Sequence, residues 1–151
     1  MKPLLLLSIV ALLSGGTVQS SHTDSDSNSE IHNRLVGAWK LVSLEEPGAD
    51  GQLHKADCTG MFAFTSDGKA SVQVMYLDAK SGSAYARGGY EASYGSYRIE
   101  DSSTFTFHVE GALVRALIGK DLKRKYGISG NRLTVTSSDP DEHWEVVWER
   151  Y

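Results

Sequence analysis

The chain has 151 residues, a hydrophobic fraction of 40% and a single cysteine, Cys58, which allows one domain with one hydrophobic core. Its formal net charge is −4 at pH 7, whereas a nucleic-acid surface needs a basic excess that neutralises phosphates. Composition therefore excludes an internal disulfide and argues against a nucleic-acid partner.

The amino terminus has the layout of a secretory signal peptide. Lys2 precedes an apolar run over residues 4–13, and the small residues Val18 and Ser20 suit cleavage before Ser21. The run is shorter than the roughly 20 residues of a membrane-spanning helix. We interpret residues 1–20 as a signal peptide and expect a secreted protein without a stable membrane anchor; the alternative is an uncleaved amino-terminal anchor.

Residues 21–30 contain no large apolar side chain and predict a disordered, acidic and Ser-rich tether. The folded domain then covers residues 31–151 and begins with one helical turn over residues 31–35. Eight segments have the alternation or the turn boundaries of strands: 36–46, 58–65, 69–77, 93–100, 104–110, 122–128, 132–137 and 143–151. Eight strands suit an antiparallel barrel whose interior is just wide enough for a small ligand.

Two connections in this pattern are longer than hairpin turns. Residues 78–90 are rich in Gly, Ser and Ala and form the longest connection, which we expect to overhang an open end of the barrel. The alternative is a crossover with no functional role. Residues 111–119 predict one or two helical turns.

The first and last strands carry residues suited to closing one end of a barrel. Gly37 stands two places before Trp39, so the chain can cross beneath a large flat side chain at this point. Trp148 and Arg150 share a face of the last strand, so an inward Trp148 brings the Arg150 guanidinium inward as well. Stacking on an indole makes such a guanidinium tolerable, and we predict that Trp39 and Arg150 pack together as a structural pair.

With these residues in view, the sequence resembles the lipocalin (calycin) pattern, and more specifically the bacterial and fungal lipocalin-like domain family. The matching segments are 35–43, 64–69, 95–97, 108–111 and 148–150, within a resemblance that covers about residues 35–151. The resemblance implies an all-β fold, an eight-stranded antiparallel up-and-down barrel with a short N-terminal helical turn. It implies a ligand-holding barrel but no single activity, because calycin barrels carry, store and sometimes cyclise or isomerise small molecules.

Arg124 is the charged residue that strand alternation most clearly directs inward. It shares a face with Leu122 and Tyr126, and a buried guanidinium needs a carboxylate, a cluster of carbonyls or an anionic ligand. An internal ion pair and a surface position are the alternatives. Together with the strand tyrosines Tyr76, Tyr97 and Tyr126, Arg124 is predicted to contact the ligand.

His108 and Glu110 are a second candidate pair. Two residues apart on a strand, they face the same way and could act as a base and its orienting group. They also lie opposite the face of Phe105 and Phe107, which turns them to solvent if those rings fill the core. With Arg124, they are the candidate catalytic residues.

The sequence contains no nucleophile elbow, phosphate loop, dinucleotide fingerprint or zinc spacing, so we predict no cofactor and no metal site. Three functions remain open. The first is a secreted protein that binds a small, mostly hydrophobic molecule, a lipid or secondary metabolite, in the barrel. The second is a cyclase or isomerase of a polyketide- or terpenoid-like substrate, and the third is a filled barrel that acts as a surface interaction module.

We expect the mature protein to begin near Ser21, because the cleavage pattern precedes that residue. Amino-terminal sequencing of the protein recovered from culture medium checks this. Recovery of an intact Met1 in the membrane fraction would contradict it.

Overall fold

The computed structural model describes residues 22–80 and 82–151, with side chains described from residue 29 onward, so the predicted signal peptide lies outside the described residues. Its elements follow one another along the chain as α1 (His22–Leu35), β1 (Gly37–Pro47), β2 (Leu53–Lys55), β3 (Cys58–Phe64), β4 (Lys69–Tyr76), β5 (Tyr90–Asp101), β6 (Thr104–Ala112), a 3₁₀ turn (Arg115–Leu117), β7 (Asp121–Ser129), β8 (Arg132–Ser137) and β9 (Glu145–Arg150).

The strands form a closed antiparallel barrel. From β3 to β9 each strand pairs with the next, β1 pairs with β3, and β1 also pairs with β9, which closes the sheet on itself. The short β2 lies beside the end of β1 and was not predicted, because its three exposed residues lack the alternation of a half-buried strand. The remaining eight strands confirm the predicted eight-stranded barrel.

Side-chain alternation places the hydrophobic core inside this barrel. On β6, Phe105, Phe107 and Val109 are buried, whereas His108 and Glu110 between and beyond them are exposed. The same alternation on β7 buries Arg124 and Tyr126 and leaves Lys123 and Lys125 outside.

One end of the barrel is closed by Trp39 and Arg150. The Trp39 ring is fully buried and its Nε1 donates a hydrogen bond to the carbonyl oxygen of Leu35 over 2.8 Å. The Arg150 guanidinium carbon lies 4.3 Å from the centre of the Trp39 rings. The same guanidinium donates to the carbonyl oxygen of Val36 over 2.8 Å and to that of Arg34. The predicted pair is therefore in contact, and it also binds the chain that enters β1.

Gly37 is needed for this arrangement. Its φ angle is +132°, and a Cβ at this position would lie 2.5 Å from Nη1 of Arg150. A side chain here would therefore both strain the backbone and displace the guanidinium.

Helix α1 covers this closed end and is longer than predicted. Leu35 is fully buried, Ile31 packs against the core, and the His32 ring stacks on Tyr97 at 5.5 Å. The structure continues the helix back to His22, through most of the segment predicted to be a disordered tether. Once the last turn is fixed on the barrel, each preceding residue adds a backbone hydrogen bond without a new nucleation cost.

The predicted turns at residues 111–119 are reduced to the 3₁₀ turn, because β6 extends to Ala112 before the chain bends. Across residues 22–80 and 82–151, no helix combines the length and the apolar character that crossing a membrane requires.

We expect Trp39→Ala to lower the free energy of unfolding by about 3–5 kcal/mol, because it empties a fully buried position and removes the stacking partner of Arg150. Urea unfolding followed by far-UV circular dichroism measures the change. A loss below about 1 kcal/mol would show that the closed end does not depend on this ring.

Candidate functional site

The barrel contains a cavity at the end opposite Trp39. Its volume is about 80 Å³, several times the roughly 10–15 Å³ that one water molecule needs. Its wall is mainly hydrophobic and includes Phe62, Val74, Phe105, Phe107, Val135 and Trp148. The cavity therefore suits a small apolar guest.

Two connections contribute residues to the mouth of this cavity. Ser83 and Tyr85 come from the 77–89 connection between β4 and β5, and Trp144 comes from the 138–144 connection between β8 and β9. The rings of Tyr85 and Trp144 meet edge to face with their centres 6.2 Å apart. The long connection thus lies over the end of the barrel that Trp39 leaves open.

Arg124 lies beneath these two rings. Its guanidinium carbon is 5.1 Å from the centre of the Tyr85 ring and 4.9 Å from that of Trp144. Nη1 of Arg124 lies 3.7 Å from Oε2 of Glu142, and the Tyr85 hydroxyl donates to Oε1 of Glu142 over 2.5 Å. The inward guanidinium therefore has an internal carboxylate partner.

The charge state of Glu142 follows from these contacts. Burial raises the pKa of its carboxyl group, but hydrogen bonding by Ser137 and Tyr85 and the positive charge of Arg124 outweigh that effect. The net result is a pKa below the ordinary value for Glu. Glu142 is thus a carboxylate at neutral pH and neutralises Arg124.

Glu91, on β5, faces the same cavity and differs from Glu142. The residue is partly buried and lines the cavity wall. Burial raises the pKa of Glu91 to about 7; the charge of Glu46 adds to this rise and that of Arg124 opposes it. Within the part of the chain that the structure describes, the Glu91 carboxyl makes no hydrogen bond or ion pair.

The sequence of this barrel matches a known protein family. The lipocalin-like domain family matches residues 36–151, which span the whole barrel. The chain belongs to this family. No curated protein matches its sequence.

Two solved structures from Bacteroides resemble this lipocalin-like barrel. A lipocalin-like protein from Bacteroides uniformis ATCC 8492 is 16% identical, with a TM-score of 0.50, and the match covers 78% of this chain and 98% of that chain. An uncharacterized protein from Bacteroides eggerthii DSM 20697 is 19% identical, with a TM-score of 0.48 and coverage of 78% and 99%. At such identities the likeness to the Bacteroides uniformis protein shows the fold alone.

Of the three tyrosines predicted to contact the ligand, Tyr76 lines the cavity and donates a hydrogen bond to Oε2 of Glu46 over 3.0 Å. Tyr97 and Tyr126 do not line it. The Tyr97 hydroxyl donates to the carbonyl oxygen of Thr65 over 3.0 Å, and burial raises the pKa of Tyr97 to about 12. Both side chains point inward as predicted, but they enter the barrel nearer to its closed end.

The Tyr126 hydroxyl donates to the carbonyl oxygen of Asp101 over 3.1 Å, which ties β7 to the end of β5. Burial raises the pKa of this tyrosine as well. Its role in the lipocalin-like barrel is therefore that of a core residue with a satisfied hydroxyl group.

His108 and Glu110 lie outside the barrel, which corrects their candidacy as cavity residues. His108 Nδ1 lies 2.7 Å from Oδ1 of Asp121, and Glu110 Oε1 accepts a hydrogen bond from Lys69 Nζ over 2.7 Å. The reason is the alternation on β6, which directs Phe105, Phe107 and Val109 into the core and the opposite face to solvent. Of the three catalytic candidates, the cavity contains Arg124 only.

Glu91 was missed as a cavity residue because the predicted strand began too late in the sequence, although strand alternation would have directed Glu91 inward. Glu91 shares a face with Ser93 and Tyr97, but the predicted strand began at Ser93, whereas β5 begins at Tyr90.

Among residues 22–80 and 82–151, no group of three His, Cys, Asp or Glu side chains is placed to hold a metal ion.

We expect Arg124→Met to lower the free energy of unfolding by about 1–3 kcal/mol, because it leaves the Glu142 carboxylate without its cation. The double variant Arg124→Met/Glu142→Gln should lose less than the sum of the two single variants, because the residues are coupled. Urea unfolding of all four proteins measures this cycle. Strict additivity would contradict the assigned ion pair.

Proposed function

We propose that this lipocalin-like protein is a small-molecule-binding protein that holds one small, mostly hydrophobic guest in the cavity beneath the 77–89 connection. The observation that carries the proposal is the cavity itself, with its hydrophobic wall and its polar groups gathered at the end away from Trp39. Removing a guest's apolar surface from water supplies about 25 cal/mol per Å², and the polar groups fix its orientation.

The size of the cavity limits the guest. A volume of about 80 Å³ is roughly half of the 150 Å³ of an engineered cavity that binds benzene, so a guest as large as a single ring must extend through the mouth. Tyr85 and Trp144 cover that mouth from two connections and not from the strands of the barrel. We infer that these two side chains move apart when a larger guest enters.

The other two functions receive less support from the site. The enzyme hypothesis named His108, Glu110 and Arg124 as catalytic candidates, and the first two lie outside the barrel. Arg124 has a carboxylate partner and two aromatic neighbours, which is compatible with a structural role at the mouth. The cavity distinguishes this barrel from one whose interior is filled.

The proposal includes secretion, which rests on the signal-peptide pattern of residues 1–20. The guest is then a molecule that the protein meets outside the cell.

The fold without an internal disulfide relies on its core and on the Trp39–Arg150 pair for stability.

We expect Val74→Phe to abolish guest binding, because Val74 is buried in the cavity wall and the added ring fills the space. Met75→Phe is the matched control, since the neighbouring residue points outward and is 51% exposed. Native mass spectrometry of the three proteins purified from their own source should show a retained guest on wild type and Met75→Phe only.

Thermal unfolding of the same three proteins separates loss of the cavity from loss of the fold, because overpacking a core costs about 1–3 kcal/mol. Equal guest occupancy on a folded Val74→Phe protein would place the guest elsewhere and contradict the proposed site.

A further inference from the structure

Carboxylates outnumber basic groups in and around the cavity. Arg124 forms its ion pair with Glu142, whereas Glu46 and Glu91 form no ion pair within the described residues, and Glu91 interacts with the charge of Arg124 only at longer range. Glu46 accepts one hydrogen bond from the Tyr76 hydroxyl. With all four charged groups ionised, the cavity and its mouth therefore carry an excess of negative charge.

Three residues of the cavity wall, Glu91, Trp144 and Trp148, have a polar group without a hydrogen-bond partner among the described residues. The Glu91 carboxyl makes no hydrogen bond within the described residues, and the buried Nε1 atoms of Trp144 and Trp148 make none either. Buried polar groups are nearly always paired, so an unpaired group in a cavity wall indicates a partner that a guest supplies. For a carboxylate, that partner is a hydrogen-bond donor, and a cation is the strongest one.

We propose that the guest carries a basic nitrogen on a small apolar body, and that Glu91 binds its ammonium group with Glu46 as the second carboxylate. This inference rests on the proposed function, because it assigns the chemistry of the guest in the same cavity. Tyr76 adds an aromatic ring to the cavity wall, and aromatic rings attract cations. An anionic guest is disfavoured, because the carboxylate of Glu142 already binds Arg124, the one arginine among the described residues that line the cavity.

If Glu91 binds the cation, the affinity for a permanently charged cation should rise with pH. Burial raises the pKa of Glu91 to about 7, so the carboxyl is mainly neutral at pH 6 and mainly ionised at pH 8. The titratable and charged groups around it are Glu46 from β1, Cys58 from β3, Tyr76 from β4, Tyr85 from the 77–89 connection and Arg124 from β7. Benzyltrimethylammonium does not titrate, so its affinity should rise about tenfold from pH 6 to pH 8.

Three probes of similar shape and different charge test the assignment: benzylammonium, benzyl alcohol and benzoate. Each is titrated at pH 8 into the mature protein and its variants by isothermal calorimetry or NMR. We expect benzylammonium to bind most tightly. Glu91→Gln should weaken benzylammonium about 10- to 100-fold while leaving benzyl alcohol within about twofold, and Glu46→Gln should give a smaller loss.

Glu110→Gln is the control, because it removes the same charge from the outside of the barrel, and it should leave all three affinities unchanged. Tighter binding of benzoate, or equal effects of Glu91→Gln and Glu110→Gln, would overturn the inference and leave the proposed function intact. Failure of all three probes to bind the folded protein would contradict the proposed function as well.

Discussion

The guanidinium of Arg150 lies on the face of Trp39 and donates hydrogen bonds to carbonyl groups of the chain that enters β1. This contact joins the last strand to the first at the point where the sheet closes on itself. It also explains the glycine two residues before Trp39, since a Cβ there would meet the guanidinium. Because a fully buried indole and helix α1 close this end, the guest that we propose is expected towards the other end.

The opposite end is built from the same kinds of groups in a different arrangement. Arg124 also lies against a tryptophan, Trp144, but its partners include the Glu142 carboxylate at 3.7 Å in addition to the carbonyl oxygen of Lys123 at 3.4 Å. Tyr85 and Trp144 belong to connections, whereas Trp39 and Arg150 belong to strands. One end therefore depends on the closure of the barrel, and the other can rearrange around a guest without breaking strand pairing.

Strand alternation predicted the barrel, the contact between Trp39 and Arg150 and the inward direction of Arg124, because a two-residue period determines which face a side chain occupies. It could not predict depth along the barrel, so Tyr97 and Tyr126 were grouped with Tyr76 although they enter near the closed end. Glu91 was missed because the start of a strand is not marked by its period. The partner of Arg124 was not predictable either, since Glu142 lies in a connection whose path depends on tertiary contacts.

The central claim is that the guest occupies the end of the barrel marked by Glu91, and the three tryptophans of the chain provide separate reporters for it. Trp144 and Trp148 line the cavity, whereas Trp39 donates its indole N–H to Leu35 at the closed end. In ¹⁵N NMR spectra, saturating benzylammonium should shift the indole signals of Trp144 and Trp148 and leave that of Trp39 in place. A shift confined to Trp39, or no shift at saturation, would contradict this account.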